Sequence, residues 1–307
     1  MNSVILVSII MTLVAASTPI LLAALGELVV EKSGVLNLGV EGMMLTGAVA
    51  GFAVAFSTGS VALGLIASVI AGIATAMIFA VLTLSLTANQ VATGLALTIF
   101  GVGASSLIGA GFVGRTIDRL GPLFPEALSG HPWLRALFGH DIIVYLSLAL
   151  VLGVSLFLRR TRAGLILRAV GENDASAHAI GYPVIGIRYA AIAFGGALAG
   201  LGGAYFSLAL TPMWADRLTA GRGWIALALV VFSAWKPGRL LLGAYLFGAV
   251  MTFELQAKAA GITWLAPEVL AMAPYLATIL VLTMMSLGRK TGRLDAPACL
   301  GKPFSAS

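Results

Sequence analysis

Residues Gly26 to Gly51 read GELVVEKSGVLNLGVEGMMLTGAVAG and place a charged, glycine-punctuated turn between two strongly apolar segments. Asn37 and Glu41 are carried into the second of these segments. In hydrocarbon every polar group needs an internal partner, so a broken helix with an embedded carboxylate is tolerated only against other protein or a wet cavity. A translocation pathway supplies both.

Composition places this stretch in a membrane. Of 307 residues, 60% are hydrophobic and 10% charged, with a mean hydropathy of +1.04; soluble domains run at about 25% charged. Apolar segments recur from Val4 to Leu287 without an extended polar block, so residues 1–288 read as one transmembrane domain and 289–307 as a cytoplasmic tail. The net charge of +6 comes from Lys and Arg clustered between apolar segments and in the tail. That pattern marks cytoplasmic loops rather than a nucleic-acid surface. The single cysteine, Cys299, excludes an intramolecular disulfide and a paired-cysteine metal site. The first apolar segment has no basic n-region and no A-x-A site, which predicts a retained span.

A span needs about 20 mostly apolar residues. Val4 to Leu25 meets this, followed by a polar turn at Glu27, Glu31 and Lys32. A broken second element runs from near Ser33 to Phe56. Val61 to Leu86, Asn89 to Ile108, Ile142 to Leu158 and Tyr189 to Leu210 follow. Gly223 to Trp235 is too short to cross untilted and reads as tilted, broken or re-entrant. Leu240 to Gln256 and Val269 to Leu287 complete the set. The fold is therefore an all-α polytopic membrane protein with eight to ten crossings, the N-terminus outside. Lys and Arg place the loop 159–188, the Lys236 to Arg239 turn and the tail inside. The pentapeptides GAVAG (Gly47 to Gly51) and GALAG (Gly196 to Gly200) hint at an internal duplication.

The loop from Thr161 reads TRAGLILRAVGENDASAHAIGYPVIGIR. Asn173 or Asp174 serves as N-cap, Ala175 to Ile180 form a helix of about two turns, and Gly181 with Pro183 stops it. So short a helix is unstable alone, which suggests a docking element held by the membrane scaffold and a partner. As an amphipathic connector it would need no partner.

No G-x-x-x-x-G-K-[ST] occurs, so nucleotide cannot bind by that route. There is no H-E-x-x-H, and His131, His140 and His178 are dispersed. No catalytic, cofactor or metal site is expected. Asn37 and Glu41, four residues apart, would share a helix face. Two readings stand: the pair hydrogen-bonds a solute such as a ribose or a base, or Glu41 is structural, satisfying backbone amides freed by the break or pairing with another span. Asn89 and Gln90 read as caps or as further pathway residues. Trp214, Trp224, Trp235 and Trp264 lie near span ends, as interfacial tryptophans do, with one of them available for stacking on a base.

The chain resembles permease subunits of bacterial ABC importers, in the branch serving branched-chain amino acids and simple sugars, and within it the nucleoside permeases. The resemblance is carried by EKSGVLNLGVEGMMLTGA (Glu31 to Ala48), NQVATGLALTIFG (Asn89 to Gly101), RAVGENDASAHAIG (Arg168 to Gly181) and GRGWIALALVVFSAWKPGRLLLGAYLFG (Gly221 to Gly248). Trp224 stands where a smaller aromatic is usual, and Thr46 where an apolar residue is commoner. The resemblance implies that Glu172, Asn173, Asp174, Ala175, Ala179 and Gly181 belong to a coupling segment that inserts into a separate ATPase. It also implies an extracytoplasmic substrate-binding protein, a second and non-identical permease, and a place in the bacterial inner membrane. Asn37, Glu41, Asn89, Gln90 and Trp224 are the expected pathway residues. Nucleosides are the expected solute, with simple sugars or riboflavin as alternatives. An ion-coupled secondary transporter using Glu41 is the rival from another class.

Overall fold

The computed structural model describes residues 2–125, 131–259 and 296–304, together with the isolated positions 272, 276, 279 and 283. Helix α1 is Asn2–Lys32, α2 Val40–Thr58 and α3 Val61–Ala80, the last extended by a π-helical turn Val81–Ser85. Then come α4 Gln90–Gly109, a short α5 Pro132–Phe138, and α6 Ile142–Arg160. Two shorter helices, α7 Arg162–Glu172 and α8 Asp174–Ala179, precede α9 Val184–Tyr205, which also ends in a π turn, Phe206–Leu210. Helices α10 Arg222–Phe232 and α11 Pro237–Ala259 follow.

Among the described residues seven helices are long and apolar enough to cross a membrane: α1, α2, α3, α4, α6, α9 and α11. The protein is an all-α polytopic membrane protein. The expected span Val269 to Leu287 falls almost entirely outside the described residues.

Helix α2 is buried along most of its length, including Met43, Met44, Ala48 and Phe52. In lipid there is little hydrophobic drive between helices, so close van der Waals packing of small residues has to hold them. A Cβ on Gly47 would overlap the backbone of Gly200, one on Gly72 the carbonyl of Gly196, and one on Gly203 the carbonyl of Met44. The two similar pentapeptides thus meet across the α2–α9 contact. Polar cross-links join the same helices: Thr46 Oγ1 lies 3.0 Å from Thr75 Oγ1, and Ser207 Oγ donates to the Ala48 carbonyl at 2.9 Å.

The polar turn expected at Glu27, Glu31 and Lys32 is instead the last two turns of α1, with both carboxylates buried. Each has an internal partner, which is why helix continues. Asn37 donates to Glu27 from its backbone N–H at 3.1 Å and from Nδ2 at 3.3 Å, and Trp235 Nε1 donates to Glu31 Oε2 at 2.5 Å. Beyond Lys32 the chain reverses at Gly34, whose φ of +91° no β-carbon residue adopts readily. Residues 33–39 then climb back beside α1, so α2 begins within the membrane rather than at its edge. The break lies before α2, and Asn37 is not on the helix with Glu41. The shared helix face expected for that pair does not exist.

On the outer side the chain leaves α9 and turns back inward along α2. Trp214 packs with Ala48, Val49 and Phe52, whereas Gly221 reaches Glu41, two turns deeper. The outer loop braces this descent, with Ile117 donating its N–H to the Pro212 carbonyl at 3.2 Å. Helix α10 has 11 residues, about 16 Å of rise. It starts inside the bundle and ends at Phe232, and the turn that follows it sets Trp235 beside the C-terminal end of α1. The short element is therefore the second half of a broken span: residues 211–221 descend part-way and α10 completes the crossing. Trp214 and Trp235, expected at the interface, are 1% and 4% exposed.

Candidate functional site

A half-helix that begins inside a membrane presents unpaired N–H groups at its first turn, each costly in a dry environment. Glu41 meets this need. Its Oε1 accepts from Thr219 Oγ1 at 2.6 Å and from the Gly221 N–H at 2.9 Å, and its Oε2 accepts from the Gly223 N–H at 2.6 Å. The carboxylate also lies at the positive end of the α10 dipole. Close approach explains the glycines: Gly221 has φ +80°, and a Cβ on Gly223 would sit 2.6 Å from both Glu41 Cα and Oε2. Glu41 thus satisfies backbone amides freed by a break, but the break belongs to α10 and not to its own helix.

Beside this cap lies a cavity of about 430 Å³, lined by Glu41, Leu45, Thr98, Val102, Arg217 and Trp224 among others. That is within the usual range of about 300–1,000 Å³ for small-molecule sites. Its wall combines an apolar strip from α2 and α4, an indole 37% exposed at Trp224, and a guanidinium at Arg217. The cavity opens along α4, where Ile99 is 74% exposed. Such a wall offers a mostly apolar surface with an aromatic face and few polar groups.

Of the five expected pathway residues, the structure brings Glu41 and Trp224 to this cavity. Asn37, Asn89 and Gln90 lie elsewhere. Asn37 Oδ1 accepts from the Gly39 N–H at 2.9 Å and its amide faces Glu27. Asn89 caps α4 by accepting from the Ala92 N–H at 2.9 Å. Gln90 accepts from the Leu36 N–H at 2.8 Å and donates to the Lys302 carbonyl at 3.4 Å, bridging the 33–39 segment to the tail. Arg217 and Thr219, which the sequence did not single out, complete the site. The dense glycine and basic pattern of TAGRG at 219–223 was the available signal.

The second notable region lies between α6 and α9. Asn173, rather than Asp174, is the N-cap of α8, accepting from the Ser176 N–H at 2.9 Å, and Gly181 stops the helix with φ +91°. Ala177 is buried with Val170 and Val184, leaving Ala175, Ala179 and Ile180 exposed, Ile180 at 72%. Arg188, fully buried, fixes α8 from behind: Nη2 bonds Asp174 Oδ2 at 3.0 Å and Nε donates to the Ser33 carbonyl at 3.1 Å. The tail adds a strap. The Cys299 N–H donates to the Gly171 carbonyl at 2.9 Å, the Gly301 N–H to the Gly34 carbonyl at 3.2 Å, and Phe304 lies 5.6 Å from the His178 ring.

A multi-span bundle with a broken span, a cavity at the capped N-terminus of its half-helix and a braced helix pair between α6 and α9 is an architecture suited to a membrane permease. The family model described as "Branched-chain amino acid transport system / permease component" matches residues 9–287, and the chain belongs to that family of ABC transporter permeases. It is 40% identical to the Haloferax volcanii protein named "Putative glucose ABC transporter permease protein TsgC13", over 95% of each chain. It is 32% identical to the guanosine ABC transporter permease protein NupQ of Bacillus subtilis, over 95% of this chain and 94% of the relative. With the nucleoside ABC transporter permease protein NupC of Lactococcus lactis the identity is 29% over 95% and 94%. The seven candidate spans among the described residues, together with this family, make it a multi-pass plasma-membrane protein.

Proposed function

We propose that this chain is the membrane-spanning subunit of an ABC importer for nucleosides, driven by ATP hydrolysis on a separate subunit. The observation that carries the reading is the Trp224 indole exposed in the cavity beside the Glu41-capped end of α10. A base stacks on that ring, while the ribose hydroxyls meet the polar groups of Arg217 and Thr98. Two of the relatives carry guanosine or nucleoside in their names, which supports the same class.

In this reading the coupling segment Glu172 to Gly181 docks on an ATPase through Ala175, Ala179 and Ile180. An extracytoplasmic binding protein delivers the solute. A second, non-identical permease lies against the open face along α4 and encloses the cavity. The chain itself contributes no catalytic group, and residues 1–288 act as one translocating domain.

Glucose is the second reading, favoured by the 40% identity to the Haloferax protein. Uptake into proteoliposomes containing the chain and its partners separates the two. Tritiated guanosine accumulation, reduced at least tenfold by Trp224→Ala and restored in part by Trp224→Phe, is expected. Glucose uptake in the absence of guanosine uptake refutes the nucleoside assignment.

A further inference from the structure

Residues 296–304 of the tail cross parts of the chain that lie far apart in sequence. At the centre of this strap the Cys299 N–H donates to the Gly171 carbonyl at 2.9 Å, and its thiol donates to the Glu172 carbonyl at 3.6 Å, both at the end of α7. Two residues on, the Gly301 N–H donates to the Gly34 carbonyl at 3.2 Å. The Lys302 carbonyl accepts from Gln90 Nε2 at 3.4 Å, and Gln90 in turn accepts the Leu36 N–H at 2.8 Å. At the far end Phe304 packs on Val170, Ala177 and Val184, its ring 5.6 Å from His178 and 5.8 Å from the Arg188 guanidinium. The strap thus holds α8 with its last described residue and residues 34–36 with its middle.

The crossing is made by backbones in direct contact. A Cβ on Gly34 would lie 2.8 Å from Arg188 Nη2 and 3.4 Å from Cys299 Cβ, and one on Gly171 would overlap the Lys32 carbonyl. Gly301 turns the strap with φ +74°, a conformation that glycine alone adopts freely. Packing this close leaves no slack, so a shift of one segment displaces its neighbours.

Residues 33–39 lead from this crossing to the cavity beside α10. The Leu38 carbonyl accepts from Thr98 Oγ1 at 3.0 Å, and a Cβ on Gly94 would lie 2.7 Å from the Leu38 nitrogen. Thr98 lines the cavity, and so does Glu41, which follows directly on the segment. Helix α8 has six residues, too few to hold a position by itself. We infer that the strap is a positioning element for coupling: it clamps α8 to residues 33–39, so that a displacement of α8 reaches the cavity wall at Thr98 and Glu41. The inference rests on the docking of α8 on an ATPase proposed above. Phe304 and Gly301 are the positioning residues, one at each end of the clamp.

The test has two arms. The first is amide hydrogen exchange of the full-length chain in detergent, with no ATPase present. Phe304 is only half-buried, so Phe304→Ala leaves the bundle folded; it is expected to speed exchange about tenfold at residues 174–181 and also at 34–39, which Phe304 does not touch. Gly301→Val, strained at its φ, is expected to loosen the same two stretches from the other end. Phe304→Leu, which keeps the apolar contact, is expected to restore protection. The second arm is solute-stimulated ATP hydrolysis by the assembled complex, which should fall about fivefold or more in Phe304→Ala and Gly301→Val while the ATPase still co-purifies. Exchange that rises only in the stretch each variant touches, or in neither, overturns the clamp. Faster exchange with unchanged stimulation overturns its role in coupling, and so does release of the ATPase, which would make the strap part of the docking surface. A wild-type chain that captures no ATPase overturns the importer reading and the coupling role with it, and the exchange arm then decides the clamp by itself.

Discussion

Replacing Glu41 by alanine removes the acceptor of three hydrogen bonds at 2.6, 2.9 and 2.6 Å, all inside the bundle, where Glu41 is 6% exposed. Two of the donors are backbone N–H groups of the first turn of α10 and cannot turn away. Leaving a buried donor unmade costs about 1–3 kcal/mol, and a bond to a charged group is worth about 1.5–3 kcal/mol. The three losses share one site and do not add fully, so Glu41→Ala should destabilise by about 4–6 kcal/mol. Glu41→Gln keeps one oxygen acceptor but turns an NH₂ toward the Gly223 N–H, which loses one bond and opposes two donors; about 2–4 kcal/mol is expected. Glu41→Asp keeps the charge and withdraws it by one methylene, placing it between wild type and Gln. The assay is thermal or denaturant unfolding of the purified chain in a fixed detergent. The order Glu, Asp, Gln, Ala in falling stability is expected, with transport failing alongside it. A Glu41→Ala protein within about 1 kcal/mol of wild type, yet inactive in transport, would refute the capping argument and leave the carboxylate as a solute ligand.

Other consequences can be measured in the same way. Gly203→Ala places a methyl into the Met44 carbonyl and should cost about 1–3 kcal/mol or more, whereas Gly103→Ala, where a Cβ meets nothing within 4 Å, should be neutral or slightly stabilising; parallel unfolding curves decide. Trp235→Phe strands the Glu31 carboxylate, with an expected loss of about 1.5–3 kcal/mol, and the same curves should show it. Arg188→Gln frees Asp174 and the back of α8, so substrate-stimulated ATP hydrolysis should fall while the ATPase subunit's own basal rate holds; unchanged stimulation contradicts the bracing role. Burial pushes His140 below its ordinary value of 6.5. The unfolded chain therefore takes up this proton first as pH falls, so stability declines below about pH 6.5. His140→Gln should flatten that decline, measured as unfolding midpoint against pH.

The periodic information lay in the sequence, and the three-dimensional pairing did not. Spans from Val61, Asn89, Ile142 and Tyr189 were legible because length and apolarity alone define them. The half-helix α10 was legible as a segment too short to cross by itself, and α8 could be placed from its cap and glycine stop. The burial of Glu27, Glu31, Trp214 and Trp235 was not legible, because isolated carboxylates and indoles read as loop or interface residues. Only contacts such as Glu31 with Trp235, 204 residues apart, make burial affordable. Asn37 was misplaced for a related reason: its spacing to Glu41 fits a helix, but Gly34 turns the chain and Glu27 holds Asn37 off it. Helix α7 was passed over because its two arginines and two glycines masked an 11-residue amphipathic helix. The tail's packing on α8 and the 33–39 segment has no local signature at all.

The central claim is that this chain moves its solute by a force delivered to α8. The direct measurement is uptake of tritiated guanosine into proteoliposomes containing the chain with its ATPase, partner permease and binding protein, with and without ATP. A matched preparation carries charged substitutions at Ala175, Ala179 and Ile180. Uptake that needs ATP, is blocked by vanadate, ignores a protonophore and disappears in the substituted preparation is the predicted result. Uptake that follows the proton gradient without ATP and survives those substitutions contradicts it.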